Sequence, residues 1–248
     1  MFNGKTKAVT FSFDDGVAQD RRLVEILNRY HLKGTFNISS GRFGDENAFV
    51  LTDGKWVWHD GRSDEPGAVA HYRLPKEAVK SLYEGHEVAA HTVNHRRLID
   101  CSDEEVIRQV EEDRLALSEM MGYEVCGMAY PNGDRFVDDR VINLVKEHTG
   151  VRYARLCATT GSFSMPEDLY RLQGTLYPHR NWDVMTEIAQ KFLELETDEP
   201  ALLYIWGHAY EFDMRPDGWE KFEEFCRLIS GKQNIFYGTN KEVLLMNV

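Results

Sequence analysis

The chain has 248 residues and a mass of 28.7 kDa, which suits one α/β domain over residues 1–248, and 42% of its residues are hydrophobic. Its 29 lysine and arginine residues against 41 aspartate and glutamate residues give a formal net charge of −12. This charge argues against nucleic acid and anionic membrane surfaces as partners, because both reward clustered basic side chains, and it favours neutral or cationic substrates.

The N-terminus predicts that the chain, as written, is cytoplasmic. It carries no apolar stretch of signal-peptide length and no cleavage pattern, although a sequence with its leader removed would look the same. No apolar run approaches the roughly 20 residues that would span a bilayer. The four cysteines are widely spaced without a C-x-x-C pair, which argues against a zinc knuckle or a redox motif.

Strand-like and helix-like segments alternate from the start of the chain. Residues 8–13 form a short β-rich apolar run, residues 21–30 carry apolar side chains at helical spacing, and a second strand is predicted over 34–39. Residues 41–74 are rich in glycine, aspartate and aromatic residues without clear periodicity, which predicts a long insertion loop. Loops of that length are often part of a functional site.

The alternation continues to the C-terminus. Strands are predicted over 87–91, 125–130, 151–154, 201–206 and 235–237, and helices over 76–83, 102–121, 136–148, 182–196 and 219–229, with a last helical turn. The longest helix opens with a capping box at residues 102–105 and ends at Gly122. Such alternation without a glycine-rich phosphate loop predicts an α/β fold with a parallel sheet, and favours a barrel over a doubly wound sheet.

The strongest polar motifs fall where predicted strands end. They are Asp14-Asp15 after the first strand, His91 to His95 after the third, Tyr130 to Gly133 after the fourth, and Gly207-His208 near the end. Active sites of barrels lie at the carboxyl ends of the strands. We therefore expect these four segments to converge on one mouth of the barrel.

The spacing of two histidines indicates a metal site. His91 and His95 can reach one ion if their segment leaves its strand as a tight turn, and a carboxylate would complete a two-histidine, one-carboxylate set. Asp14 and Asp15 can divide two roles, metal binding and general base, because neighbours leaving a strand point to different sides. An imidazole at His208 could protonate a leaving group as general acid.

Each motif also has a structural interpretation. An isolated H-x-x-x-H pair is more often a chance surface pair, Asp-Asp-Gly is usually a turn, and His208 could be a satisfied buried histidine. The metal interpretation gains weight because the acidic pair and the two histidines fall at the ends of separate strands.

Together these motifs resemble those of the polysaccharide deacetylases of carbohydrate esterase family 4, which includes chitin and peptidoglycan deacetylases. The resemblance covers most of the chain, through Phe11-Ser12-Phe13-Asp14-Asp15-Gly16, His91-Thr92-Val93-Asn94-His95, Ala129-Tyr130-Pro131-Asn132-Gly133 and Ile205-Trp206-Gly207-His208. It implies a distorted (β/α)7 barrel in which Asp14 is the base, His208 is the acid, and the metal ligands are Asp15, His91 and His95. An aspartate with two imidazoles suits Zn²⁺, with Co²⁺, Ni²⁺, Mn²⁺ and Fe²⁺ as alternatives.

Two features depart from the family pattern. Ala129 takes the place of the third-motif arginine that steadies the base, and three other cations could substitute for it: Arg96, Arg135 and Arg171. The fourth motif, whose aspartate tunes the acid histidine, has no clear match, which leaves two candidate orienters: Glu211 and Asp183.

The Ala-Tyr-Pro-Asn-Gly form resembles a compact branch of the family whose members are less uniformly assigned to polymer substrates.

The implied reaction removes an acyl group, most simply acetyl, from an N- or O-acetylated carbohydrate by attack of metal-activated water. The oxyanion would be held by the metal and by a backbone N–H of the third-motif loop, which makes Tyr130 and Asn132 the predicted substrate contacts. Trp56 and Trp58, in the predicted insertion loop, are expected to form a wall of the substrate site, with core packing as the alternative.

Two other functions remain open. The same metal chemistry could act on a small cyclic amide or a short acylated metabolite, because no leader or carbohydrate-binding module is seen. A non-catalytic barrel that binds a metal or another ligand is the second, motivated by Ala129 and by the unclear fourth motif. The sequence has candidates for every metal ligand, for the base and for the acid, which favours a hydrolase over that second alternative.

Overall fold

The computed structural model describes residues 2–246, and its main feature is a large parallel sheet. The strands are β1 (Lys7–Asp14), β2 (Gly34–Ile38), β3 (Glu46–Thr52), β4 (Lys55–Asp60), β5 (Val69–Tyr72), β6 (Glu87–Ala90), β7 (Gly127–Ala129), β8 (Tyr153–Thr159), β9 (Leu172–Gly174), β10 (Ala201–His208) and β11 (Ile235–Tyr237). Eight of them form one sheet in the order β10-β1-β2-β6-β7-β8-β9, with β11 also paired to β1, and β4-β3-β5 form a separate antiparallel sheet.

Helices alternate with the strands of the large sheet and pack apolar side chains against it. They are α1 (Asp20–Arg29), α2 (Lys76–Leu82), α3 (Asp103–Met121), α4 (Asp139–His148), α5 (Pro178–Asn181), α6 (Met185–Glu194), α7 (Gly218–Ile229) and α8 (Asn240–Leu244). The long helix α3 has the predicted ends, because the Ser102 side chain accepts from the Glu105 N–H and Gly122 has a φ of 79°. No helix within residues 2–246 has the length and apolar character needed to cross a membrane.

The central strand β1 explains how the first motif is held. All of its residues are buried, and it lies between β10 on one side and β2 with β11 on the other. Strands covered on both faces have nearly continuous apolar sequences, as residues 8–13 do. Phe11 and Phe13 both make edge contacts with Phe222 of α7. Asp14, the last residue of this packed strand, therefore has a rigid support.

The two ends of the large sheet approach each other beside β10. Just after β9, Leu176 forms an isolated parallel bridge with Ile205, and the Thr175 N–H donates to the Tyr204 carbonyl at 2.7 Å. In the part of the chain that the structure describes, no continuous ladder joins β9 to β10. The α/β fold with its parallel sheet is confirmed, and it agrees with the distorted barrel that the family resemblance implies.

The insertion over residues 41–74 is not a loop, and this prediction was wrong. β3 and β4 form a hairpin through Asp53-Gly54, whose positive φ angles of 49° and 74° suit a type I′ turn. β5 pairs with the other edge of β3. An Asp-Gly pair between segments rich in β-branched and aromatic residues is a strong hairpin signal, and the high glycine content around it obscured that signal.

Several predicted boundaries also differ. β8 runs to Thr159 rather than ending at Ala154, and the short strand β9 was not predicted. The helix predicted over 136–148 begins at Asp139, after a 3₁₀ turn over Asp134–Phe136. The extension of β8 has the largest consequence, because it adds Arg155 to a strand of the sheet.

Candidate metal and acid–base site

The predicted polar motifs meet at one cavity at the carboxyl end of the sheet. Asp14 is the last residue of β1, His208 is the last of β10, and His91 and Tyr130 directly follow β6 and β7. All four line a cavity of about 840 Å³. The convergence expected from parallel strands is therefore present.

Asp15, His91 and His95 form a cluster that could hold a metal ion. One ligand atom from each residue lies within 4.8 Å of the other two. Asp15 Oδ1 lies 3.5 Å from His95 Nε2 and 3.9 Å from His91 Nε2. A carboxylate oxygen and two imidazole nitrogens facing a common point fit the donor set of catalytic zinc sites.

The backbone around these residues is held in uncommon conformations. Asp15 has a φ of 80° and His95 a φ of 53°, in the left-handed region that L-residues rarely adopt. Between the histidines, the Val93 N–H donates to the Gln109 carbonyl of α3, and the Asn94 N–H donates to the Gln109 side chain. Helix α3 therefore fixes the turn that brings His95 back toward Asp15.

The protonation of the two histidines suits metal binding. His91 Nδ1 donates to the Ala129 carbonyl at 2.8 Å, because a carbonyl can only accept, and this leaves the Nε2 lone pair toward Asp15. Burial lowers the pKa of His91, and it lowers the pKa of His95 to about 3, against the opposing effect of nearby carboxylates. Both imidazoles are thus neutral at pH 7, which is the form that coordinates metals.

Two further side chains contact Asp15, and the sequence analysis missed both. His71 Nε2 lies 3.0 Å from Asp15 Oδ2, and Arg73 donates from Nη2 to Oδ1 at 2.7 Å and from Nη1 to the main-chain oxygen at 2.9 Å. Burial raises the pKa of Asp15, but Arg73 and His71 outweigh it and hold this pKa well below its usual range. His71 belongs to β5 and Arg73 follows it, so both come from the insertion that was predicted to be a loop.

Asp14 has its own buried arginine. Arg155 Nη2 lies 2.5 Å from both carboxylate oxygens, and Asn37 Nδ2 donates to Oδ1 at 2.8 Å. The Arg155 guanidinium also lies 4.5 Å from the centroid of the Trp206 ring. Burial raises the pKa of Asp14, but the attraction of Arg155 outweighs it, so this pKa lies below its usual range.

This arginine corrects the earlier assignment of a substitute cation. Among the described residues, no ion pair joins Asp14 to any of the three arginines expected from the sequence, which were Arg96, Arg135 and Arg171. Arg155 lies directly beside Ala129 in the register between β7 and β8. The cation beside Asp14 thus comes from β8 and not from β7, and the sequence analysis missed it because it ended β8 at Ala154, one residue before Arg155.

His208 faces one of its two predicted orienters. Its Nδ1 lies 3.3 Å from Glu211 Oε1, and its main-chain N–H donates to Glu211 Oε2 at 3.2 Å. Tyr177 donates a short hydrogen bond to the same carboxylate, whereas Asp183 makes no ion pair with His208 within residues 2–246. Burial lowers the pKa of His208, but Glu211, together with Asp15 and Asp14, raises it to about 9.

The predicted substrate contacts are distributed unevenly. Tyr130, Asn132 and Trp58 line the cavity, whereas Trp56 is partly buried against the hydrophobic core and is not part of the cavity wall. The Tyr130 N–H donates to the Arg155 carbonyl at 2.9 Å, and Pro131 has no N–H. Asn132 is therefore the first residue of this loop whose N–H is available to a ligand.

Aromatic side chains of the small sheet meet Tyr210, from the 3₁₀ turn after β10, on one wall of the cavity. Phe49 stacks on Tyr210 with ring centroids 4.9 Å apart, and the edge of His71 packs against Trp58 and Tyr210 at 5.0 Å. These residues lie outside the four sequence motifs, except that Trp58 was predicted as a wall residue. Flat faces of this kind can stack on a sugar ring.

The chain is similar in sequence to a known family and in fold to solved structures. A sequence model described as polysaccharide deacetylase matches residues 3–154 of the chain. A family 4 carbohydrate esterase from Streptomyces lividans, solved in complex with acetate, has 12% sequence identity and a TM-score of 0.57, with 95% of this chain and 93% of that chain covered. A CE4 family pseudoenzyme from Bacillus anthracis has 16% identity and a TM-score of 0.56, covering 96% and 66% of the respective chains.

Other comparisons are weaker. A deacetylase from Streptococcus pyogenes, also in complex with acetate, matches 60% of this chain at 17% identity, with a TM-score of 0.45. This chain spans 55% of that protein. No curated protein is significantly similar in sequence. At these identities the esterase and the pseudoenzyme, with TM-scores of 0.57 and 0.56, establish a shared fold.

Proposed function

The chain belongs to the polysaccharide deacetylase family, and on that premise we propose that it is a metal-dependent hydrolase that removes an acetyl group from an N- or O-acetylated carbohydrate. The observation that carries the proposal is the meeting of five side chains at one cavity: Asp14, Asp15, His91, His95 and His208. They supply a ligand set, a carboxylate and a protonated imidazole, which are the groups that hydrolysis of an acyl bond requires.

Asp15, His91 and His95 are the proposed ligands. A divalent ion bound to them would polarise the acyl carbonyl and lower the pKa of a water molecule at the same centre. The donor set suits Zn²⁺ best, and Co²⁺, Ni²⁺, Mn²⁺ and Fe²⁺ are the other candidates. The neutral imidazoles and the ionised carboxylate of this cluster need not lose protons to coordinate an ion at pH 7.

Asp14 is the proposed general base. Its Oδ1 accepts from Asn37, whereas Oδ2 lies on the side of His208, 3.9 Å from Nε2, so Oδ2 is the atom proposed to take the proton of the attacking water. Arg155 keeps the carboxylate ionised and fixes its plane. The carboxylate is thus held ready before a substrate binds.

His208 is the proposed general acid. A pKa of about 9 leaves its ring protonated at neutral pH, and Glu211 occupies the Nδ1 side. Nε2 is then the atom that gives its proton to the departing amine or alkoxide as the acyl C–N or C–O bond breaks. The neighbouring carboxylate and imidazole thus have pKa values moved apart, as acid and base in one site require.

The oxyanion would form near the third-motif loop. We propose the Asn132 N–H as its backbone donor, because the Tyr130 N–H is engaged in the sheet and Pro131 has none. The Asn132 side chain donates to the His95 carbonyl at 3.1 Å, which fixes this loop to the turn that carries the candidate ligand. A preorganised donor at this position stabilises charge that develops only as water attacks.

The test measures metal content and acetate release together. The purified chain and its His91→Ala variant are analysed for bound metal and are then incubated with acetylated chito-oligosaccharides and an aryl acetate. We expect the parent to bind a divalent ion and release acetate, and His91→Ala to lose both. His59→Ala is the matched control, because His59 is an exposed histidine of β4 outside the cavity wall.

The other outcomes separate the alternatives. Metal binding with hydrolysis of small amides but not of acetylated sugars would move the proposal to a small acylated metabolite. Full metal occupancy without hydrolysis of any ester or amide would indicate a non-catalytic barrel. A parent chain that cannot be loaded with any divalent ion would contradict the metal-dependent mechanism.

A further inference from the structure

The small antiparallel sheet of the insertion reaches the candidate metal ligand Asp15 through two side chains. We propose that His71 and Arg73 are positioning residues that set the affinity of the centre for a divalent ion in opposite directions: His71 supports binding and Arg73 weakens it. This inference rests on the proposed function only insofar as an ion binds to Asp15, His91 and His95.

The argument for His71 starts from the oxygen that it contacts. Asp15 Oδ1 is the oxygen nearest to both candidate ligand imidazoles, and His71 Nε2 lies 3.0 Å from the other oxygen, Oδ2. Nε2 must donate, because an ionised carboxylate can only accept. This hydrogen bond therefore turns the carboxylate so that Oδ1 points toward the two imidazoles. Such outer partners of ligand groups raise metal affinity by fixing ligand orientation.

The surroundings of His71 prevent it from turning away. The side chain is 3% exposed, and its ring has edge contacts with three aromatic rings at centroid distances of 5.0 to 5.9 Å: Phe49, Trp58 and Tyr210. Phe49 and Trp58 lie on β3 and β4, which pair with each other. The hydrogen bond to Asp15 is therefore anchored in the packing of the whole insertion sheet.

Arg73 acts on the other oxygen. Its Nη2 lies 2.7 Å from Oδ1, the oxygen that faces the imidazoles, and its Nη1 holds the main-chain oxygen of Asp15 at 2.9 Å. The side chain is 5% exposed, so water screens its charge little. A fixed positive charge on the ligand oxygen opposes the approach of a second, divalent positive charge.

The charges of the acidic pair show why such an arginine is present. Asp14 and Asp15 are both buried, and each is paired with one buried guanidinium, Arg155 and Arg73 respectively. The two carboxylates and the two guanidinium groups together carry no net charge before an ion binds. Two adjacent buried carboxylates without these partners would be costly, so Arg73 stabilises the metal-free chain at the expense of ion affinity.

The experiment measures divalent-ion affinity directly, without reference to activity. Metal-free protein is titrated with Co²⁺ and with Zn²⁺ against a chromophoric chelator, and thermal unfolding of each metal-free variant is recorded alongside. His71→Phe removes the donor while keeping a ring in the aromatic cluster. Arg73→Met removes the charge while keeping the length of the side chain.

We expect opposite shifts in dissociation constant. His71→Phe should weaken ion binding by about 10- to 100-fold, as loss of an outer partner of a ligand does. Arg73→Met should tighten it by about tenfold or more, because a buried positive charge beside the ligand oxygen is removed. Arg73→Lys keeps the charge and should remain closer to the parent, and Arg73→Gln, which also removes the charge, replaces Arg73→Met if the latter does not fold.

Matched controls act in the same cavity without touching Asp15. Arg180→Met removes a cavity arginine that lies over the Tyr177 ring, and Arg42→Met removes one that pairs with Asp45. Both should leave the dissociation constants close to those of the parent. Parallel weakening by His71→Phe and Arg73→Met would overturn the inference and indicate a purely structural role.

Other results would also contradict the inference without ambiguity. A folded His71→Phe variant that binds Co²⁺ like the parent would refute the supporting role, and a folded Arg73 variant that binds more weakly would refute the opposing one. If the parent binds an ion but hydrolyses nothing, the proposed function fails and this inference can still be confirmed. If the parent binds no ion, both fail.

Discussion

Two neighbouring carboxylates are supported by two different parts of the molecule. Asp14 is held by the large sheet, through Arg155 of β8 and Asn37 of β2. Asp15 is held by the insertion, through His71 of β5 and Arg73 just after it. The same solution, a buried arginine for each buried carboxylate, thus has two structural origins, and only the first belongs to the barrel.

The two aspartates can therefore be altered independently. The partners of Asp14 change only when the barrel strands change, whereas those of Asp15 can change with an inserted hairpin that leaves the barrel intact. Insertions between strands are tolerated more readily than changes in a packed sheet. The insertion is therefore the part of the molecule where divalent-ion affinity can vary without loss of the fold.

The largest expected effect comes from removing the proposed base. Asp14→Asn should lower the rate of acetate release by about 10²- to 10⁴-fold, the usual contribution of general acid–base catalysis, while the bound metal remains. Asp15→Asn should instead lose the metal together with the activity. Metal content and acetate release are measured for both variants, and loss of the metal in both would contradict the separate roles of the two aspartates.

The positions of the candidate site residues on the barrel strands could largely be predicted from the sequence. Asp14 and His208 end apolar strands, Asp15 and His91 directly follow such strands, and His95 lies in the turn after His91. Parallel strands bring such ends together. The sequence also marked Ala129 as a position without its expected cation. It could not place Arg155, because strand register depends on packing against neighbouring strands, and a strand end is uncertain by more than one residue.

The two partners of Asp15 in the insertion, His71 and Arg73, could not be predicted in the same way. His71 and Arg73 are two residues apart and so lie on one face of an extended segment, but that pattern has meaning only once the segment is known to be extended. The Asp53-Gly54 turn was the available signal for the hairpin. Predicting the hairpin would still not have placed it beside Asp15, because that contact depends on long-range packing that local sequence does not encode.

The second prediction concerns Arg155, which is fully buried against a carboxylate that is itself 2% exposed. Arg155→Met should lower the free energy of unfolding by about 3–5 kcal/mol, because it leaves the Asp14 charge buried and uncompensated. With the arginine gone, burial dominates and the pKa of Asp14 rises. Because the ionised carboxylate is the active form, the acid limb of kcat/KM should move to higher pH.

The double variant sharpens this second prediction. Asp14→Asn with Arg155→Met removes both charges and should be more stable than either single variant, as measured by denaturant unfolding. If the double variant lost the sum of the two single effects, the pair would not be coupled. Asp14 would then need another explanation for its lowered pKa.

The smallest effect on the rate is expected when Glu211, the partner of His208, is changed. His208 ends β10, and Glu211 lies in the turn after it. Burial lowers the pKa of this histidine, and Glu211 is the first of the carboxylates that raise it to about 9. In Glu211→Gln the imidazole should therefore lose its proton at a lower pH. Since the protonated ring is the proposed acid, the alkaline limb of kcat should move from near pH 9 toward neutrality, with little change below pH 6.

The sign of the stability change follows from the same groups. A pKa of about 9 in the folded chain, against 6.5 for an ordinary histidine, stabilises the fold fully below pH 6.5, and this contribution is lost as the pH rises through 9. The parent should thus lose more stability than Glu211→Gln between pH 6.5 and 9. A pH–rate profile with an unmoved alkaline limb would show that Glu211 does not tune His208, and would leave Asp14 and Asp15 as the sources of its raised pKa.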